Sequence, residues 1–138
     1  MSIKTSKILI PIDFSNQSMY ALTQACNIAQ TKNSKVYILS VIEEQNKISS
    51  LFLDDQTDIL QNKVKSKLNQ ICEEIQSKYK IDIEVMVSKG KVYNQIIDVS
   101  KMISTDLIVM GTTGSPKEGF KRFIGSNAER VVRLAHCP

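Results

Sequence analysis

At 138 residues the chain has the length of one domain that buries about two thirds of the surface its unfolded form exposes, so its stability requires neither a metal nor a disulfide. The formal charge of +4 comes from Lys and Arg interspersed with Asp and Glu rather than massed, which argues against a nucleic-acid partner. Cys26, Cys72 and Cys137 are odd in number, widely spaced and joined only by the single His136, a pattern that fits reduced thiols in a cytoplasmic protein and neither a disulfide framework nor a zinc site. No run approaches the roughly 18 apolar residues of a membrane span, and no signal peptide is expected.

Lys7 to Asp13 (KILIPID) is a continuous apolar run ending in a carboxylate, the pattern of a strand buried on both faces and hence of a parallel sheet. Ser15 then supplies a helix cap, and Ser18, Ala21, Leu22, Ala25, Ile28 and Ala29 recur at helical spacing to about Lys32, with Asn33-Ser34 as the stop. A second buried strand is expected over 36–42. The polar stretch 43–50 leads from it to the isolated triplet Leu51-Phe52-Leu53, a piece of satellite core or a lid.

From about Thr57, spacings of three and four through Ile59, Leu60, Val64, Leu68, Ile71, Ile75 and Tyr79 predict a long amphipathic helix covering one sheet face. Ile81, Ile83, Val85 and Val87 alternate with polar residues and Met86, as in an edge strand that Gly90 closes. A helix through Val92, Ile96, Ile97, Val99 and Met102 precedes a buried strand over 106–110, and a last helix runs through Val131, Val132 and Leu134. The expected fold class is α/β: a doubly wound parallel sheet with helices on both faces, one domain over 1–138, with no strand after the last helix.

Between the fourth strand and the last helix lie Gly111, Gly114, Gly119 and Gly125, and a Gly-rich loop that opens a helix suits an anion such as phosphate. The dinucleotide fingerprint fails, because Asp13-Phe14-Ser15-Asn16-Gln17-Ser18 after the first strand holds no glycine. A Walker loop fails as well, since Phe120 stands where its lysine belongs.

Gly111-Thr112-Thr113-Gly114, a spacer, and then Gly125-Ser126 resemble the G-x-x-G-x9-G-[ST] pattern of universal stress proteins of the UspA superfamily. The segments ILIPIDFS (8–15), DLIVMG (106–111) and GSNAERVVRLAHCP (125–138) extend the resemblance over nearly the whole chain. The resemblance implies the adenine nucleotide alpha hydrolase-like fold and, in the ATP-binding branch, an adenine-nucleotide pocket between the first and fourth strands. Pro11, Ile12 and Asp13 then match the nucleoside segment, Val41 the position whose backbone reads the adenine edge, and Met110 and Gly111 residues lining the nucleotide. Gly114, Gly125, Ser126 and Asn127 match the phosphate cradle, beside which Lys117, Lys121 and Arg122 add positive charge. The spacer here has ten residues, Ser115 to Ile124, and Ala128 stands where ATP-binding relatives usually carry Ser or Thr.

The same residues admit plainer roles: Asp13 beside a helix dipole, the glycines in a tight turn, Pro11 as a strand end, the cysteines as packing groups. On the resemblance, the expected function is a cytoplasmic stress-response module that binds ATP, ADP or AMP, with Mg2+ carried by the phosphates and no metal site of its own. The alternative is an interaction protein of the same fold with a vestigial site. An enzyme is not expected beyond slow ATP hydrolysis, since no base or arginine finger is evident. Family members usually dimerise through a final strand after the H-C-P segment, so a homodimer or a tandem-domain partner is expected to cover the sheet edge.

Overall fold

Residues 6–43, 54–112 and 126–138 are described by the structure, a computed structural model. Strand β1 (Lys7–Pro11) leads to helix α1 (Asn16–Lys32), strand β2 (Lys35–Ile42), helix α2 (Asp54–Lys78) and strand β3 (Asp82–Lys89). Helix α3 (Val92–Met102), strand β4 (Leu107–Ile108) and helix α4 (Ser126–Leu134) follow. The strands form one sheet in the order β3-β2-β1-β4, and every pairing is parallel.

Alternation along the two central strands explains their continuous apolar runs. Ile8, Ile10, Val36 and Ile38 point to one face and pack with Leu22, Ala25, Cys26 and Ala29 of α1 and with Leu68 and Ile75 of α2. Leu9, Tyr37 and Leu39 point to the other face, against Ile96, Ile97 and Val99 of α3 and Val131 of α4. A sheet covered on both faces needs apolar side chains at every position, which overrides the alternating pattern of a one-sided sheet.

Local signals fix the helix ends. The Ser15 hydroxyl accepts from the Ser18 N–H at the start of α1, and Asn33, in the left-handed region at φ 55°, closes the helix by donating its N–H to the Ala29 carbonyl. Between β3 and α3, Gly90 has φ 138°, a conformation that side chains rarely adopt, and an added Cβ would lie 2.9 Å from Gln95 Nε2.

The sequence expectations hold for element order and type, with differences at the ends. β1 ends at Pro11, although its backbone reaches β2 once more through Ile12 N–H to the Leu39 carbonyl at 2.7 Å. α2 begins at Asp54, three residues before Thr57. The strand expected over 106–110 is a regular strand only at Leu107–Ile108 and is half-buried; it pairs with β1 on one side, and on the other Ile108 N–H donates to the Pro138 carbonyl at 2.8 Å. β3 is an edge strand as expected, but its Met86 packs on the α3 face, so that side is partly covered. In α4, Val131 is buried whereas Val132 and Leu134 are exposed. Leu51-Phe52-Leu53 lie outside the described residues.

Leu68 is fully buried and ties the long charged helix α2 to the sheet. Leu68→Ala is expected to destabilise the fold by about 2–5 kcal/mol, read as a lower midpoint in urea unfolding with an unchanged slope.

Candidate functional site

The strand order reverses between β1 and β4, so α1 leaves β1 toward one face while α3 and α4 pack on the other. No connection bridges the carboxyl ends of β1 and β4 among the described residues, and ligands in this architecture bind at such a switch point. A cleft of about 200 Å³ opens there.

Its apolar wall comes from Leu39 and Val41 of β2 and from Val92 and Ile96 of α3. Its rim is polar: Asp13, Ser15 and Ser18 at the start of α1, Gly111 and Thr112 after β4, and Asn127 in the first turn of α4. Pro11, Ile12, Met110 and Ala128 complete the described lining. The first turns of α1 and α4 both border the cleft, and the positive dipole end of a helix favours an anion.

Asp13 sits in a tightly specified turn. Phe14 follows it in the left-handed region at φ 64°, a conformation costing a non-glycine residue about 1–2 kcal/mol. Packing holds it, since the ring lies against the core on the α1–α2 face with the Lys67 ammonium 4.4 Å from its centroid. The turn lets the Ser15 N–H donate to Asp13 Oδ1 at 2.9 Å. Burial pushes the Asp13 carboxyl up, but hydrogen bonds from the Ser15 hydroxyl and N–H and from Ser18 outweigh it and hold the group below its ordinary 3.8. Asp13 is the one ionisable side chain among the described lining residues, and it is a carboxylate at neutral pH.

At Gly111 the backbone after β4 passes close to α1. A Cβ there would lie 3.1 Å from the Gln17 carbonyl carbon and Cβ and 3.2 Å from the Ser18 nitrogen, atoms of a helix turn that cannot swing aside.

Seven residues singled out in the sequence thus meet at one cleft: Pro11, Ile12, Asp13, Val41, Met110, Gly111 and Asn127. Gly114 and Gly125 lie outside the described residues, as do Lys117, Lys121 and Arg122, and Ser126 is described only as the first residue of α4. Sequence reasoning did not place Ser15, Ser18, Leu39, Val92, Ile96 and Thr112 in the cleft. Leu39 shares the parity of Val41 on β2, and Val92 and Ile96 are four apart on α3, so period alone would have found these three once one neighbour was known.

Two outcomes follow from this geometry. Gly111→Ala is expected to lower stability by about 1–3 kcal/mol through overpacking against α1, measured by thermal or urea unfolding. A carboxyl held low in the fold stabilises it above the unfolded value and loses that contribution as pH falls through the folded value. Melting temperature should therefore drop below about pH 4 in the wild type, and Asp13→Asn should flatten that part of the profile.

The Universal stress protein family model matches residues 4–138. The chain is 33% identical over 144 residues to Universal stress protein MJ0531 of Methanocaldococcus jannaschii, covering 96% of this chain and 78% of that protein. Among solved structures, protein MJ0577 of the same organism superposes with a TM-score of 0.85 at 25% identity, covering 99% of this chain and 94% of that one. A universal stress protein crystallised in complex with cAMP superposes with a TM-score of 0.71 at 18% identity, covering 98% and 94%, a likeness of fold alone.

Proposed function

The chain belongs to the universal stress protein family, and from the cleft at the β1–β4 switch point we propose that it is a regulatory module that binds an adenine nucleotide, ATP or a shorter adenylate, and is not an enzyme. The observation that carries the reading is the cleft itself. It combines an apolar wall at Leu39, Val41, Val92 and Ile96, a preorganised carboxylate at Asp13 and two helix amino-termini. The wall suits a flat heterocycle, and the Asp13 carboxylate suits ribose or base donors because it accepts hydrogen bonds only.

A carboxylate repels phosphates, so the nucleoside belongs at the Asp13 end, with Pro11, Ile12, Val41 and Met110. The phosphates belong toward Gly111 and α4, and to their cradle we assign Gly114, Gly125, Ser126 and Asn127 on the motif. Asp13 by itself makes no cation site. Mg2+ would ride mainly on the phosphate oxygens, as it commonly does, and shield their charge.

Catalysis has no evident driver in this arrangement. A general base works best with a pKa near the operating pH, and the carboxyl among the described lining residues is held low instead. We place the protein in the cytoplasm and propose that residues 1–138 form one domain that assembles as a homodimer or with a tandem-domain partner. This is in keeping with β4 as an edge of the described sheet; none of the described helices is long and apolar enough to cross a membrane. An interaction protein with a vestigial site is the second reading. Ala128 favours it, being buried against the cleft where a hydroxyl would reach phosphate.

Calorimetric titration of the purified protein with magnesium and ATP, ADP or AMP tests the proposal, with nucleotide carried through purification as a parallel readout. Measurable affinity and a raised melting temperature are expected; no binding of any adenine nucleotide would leave the vestigial reading. Ala128→Ser is expected to tighten ATP binding by about two- to tenfold, the worth of one neutral hydrogen bond.

A further inference from the structure

One buried side chain outside the lining of the cleft bonds to the backbone at the end of β1. Ser40 lies between Leu39 and Val41 but points to the opposite face, where it is 3% exposed. Its hydroxyl donates to the Ile12 carbonyl at 2.8 Å.

The position of that bond matters because of strand parity. On β2 the odd residues direct N–H and C=O toward β1, as Lys35 N–H to the Ser6 carbonyl and Leu39 C=O from Ile12 N–H show. The even residues face β3, as the Ile42 carbonyl accepting from Gly90 N–H shows. Val41 therefore directs its N–H and C=O toward β1. A regular parallel ladder would carry Val41 N–H to the Ile12 carbonyl, the next rung after Ile12 N–H to Leu39. The structure instead puts the Ser40 hydroxyl on that carbonyl. β1 then turns away through Asp13 and Phe14, so no β1 residue beyond Ile12 pairs with β2 beside Val41, which is one of the cleft's lining residues.

We propose that Ser40 is a positioning residue that ends the β1–β2 ladder one rung early and keeps the Val41 N–H available to a ring nitrogen of the bound base. The proposal rests on the adenine-nucleotide reading of the cleft. Ser40 touches no ligand in this scheme. It satisfies a buried carbonyl that would otherwise compete for the donor the base needs.

Amide hydrogen exchange and nucleotide binding test it together. In the nucleotide-free wild type, the Val41 amide should exchange much faster than that of Leu39, and in Ser40→Ala, where the Ile12 carbonyl is released, it should become protected. Wild-type protein should lose about three- to tenfold in affinity when ATP is replaced by its 1-deaza analogue, which lacks one ring acceptor. Ser40→Ala should bind ATP about three- to tenfold more weakly and no longer distinguish the two. Ser40→Thr, which keeps the hydroxyl, should restore both affinity and discrimination.

A Val41 amide as protected as Leu39 in the wild type overturns the proposal, and that measurement needs no variant. So does a Ser40→Ala protein with wild-type affinity and discrimination. If the wild type bound no adenine nucleotide, the functional reading would fall on its own, while the exchange comparison would still decide whether Ser40 ends the ladder.

Discussion

β1 stops pairing before its neighbour does, and the site depends on that mismatch. β2 continues to Ile42 in register with β3, whereas β1 gives its last backbone bond from Ile12 and then turns. Because β1 is flanked by β2 and β4, its early departure opens a gap in the middle of the sheet's carboxyl edge rather than at a margin. Leu39 and Val41 of β2 line that gap from one side, and Met110 and Gly111 after β4 line it from the other. A longer β1 would fill the space with ladder hydrogen bonds.

The turn that takes β1 out of the sheet is held by interactions on both of its sides. Phe14 adopts a conformation that its side chain disfavours, and such strain persists only where the surroundings determine it. Core contacts and the Lys67 ammonium fix the ring from the α2 side, while on the α1 side Ser15 and Ser18 bond to each other and the Ser15 N–H donates to Asp13. The carboxylate is thereby ordered before any ligand arrives. In the proposed reading, ordering in advance lowers the entropy lost on binding and so offsets the strain.

Charge divides the cleft into two ends. Asp13 makes the β1 end a hydrogen-bond acceptor, and the first turn of α4, with Asn127 and the buried Ala128, makes the other end a place for an anion. A nucleotide is such a two-ended molecule, and in the proposed reading its orientation follows from electrostatics before any specific contact is considered. None of the described α2 residues lines this cleft.

The sequence by itself determined the element order and the parallel sheet, and it singled out seven of the residues that line the cleft. Continuous apolar runs such as 8–12 and 36–42 require burial on both faces, and the spacings of α1, α2 and α3 mark the stripe that faces the sheet, although Ile59 and Leu60 of α2 and Met102 of α3, expected on it, are exposed. The tertiary structure alone decided where β1 and β4 end, because a strand's length is set by its partner's reach and not by its own propensity. It also decided that Phe14 is held at positive φ, that Val92 and Ile96 wall the cleft, and that the Ser40 hydroxyl takes the Ile12 carbonyl. These contacts join residues far apart in the chain, and local pattern carries no information about which distant groups the packing of two layers brings within reach.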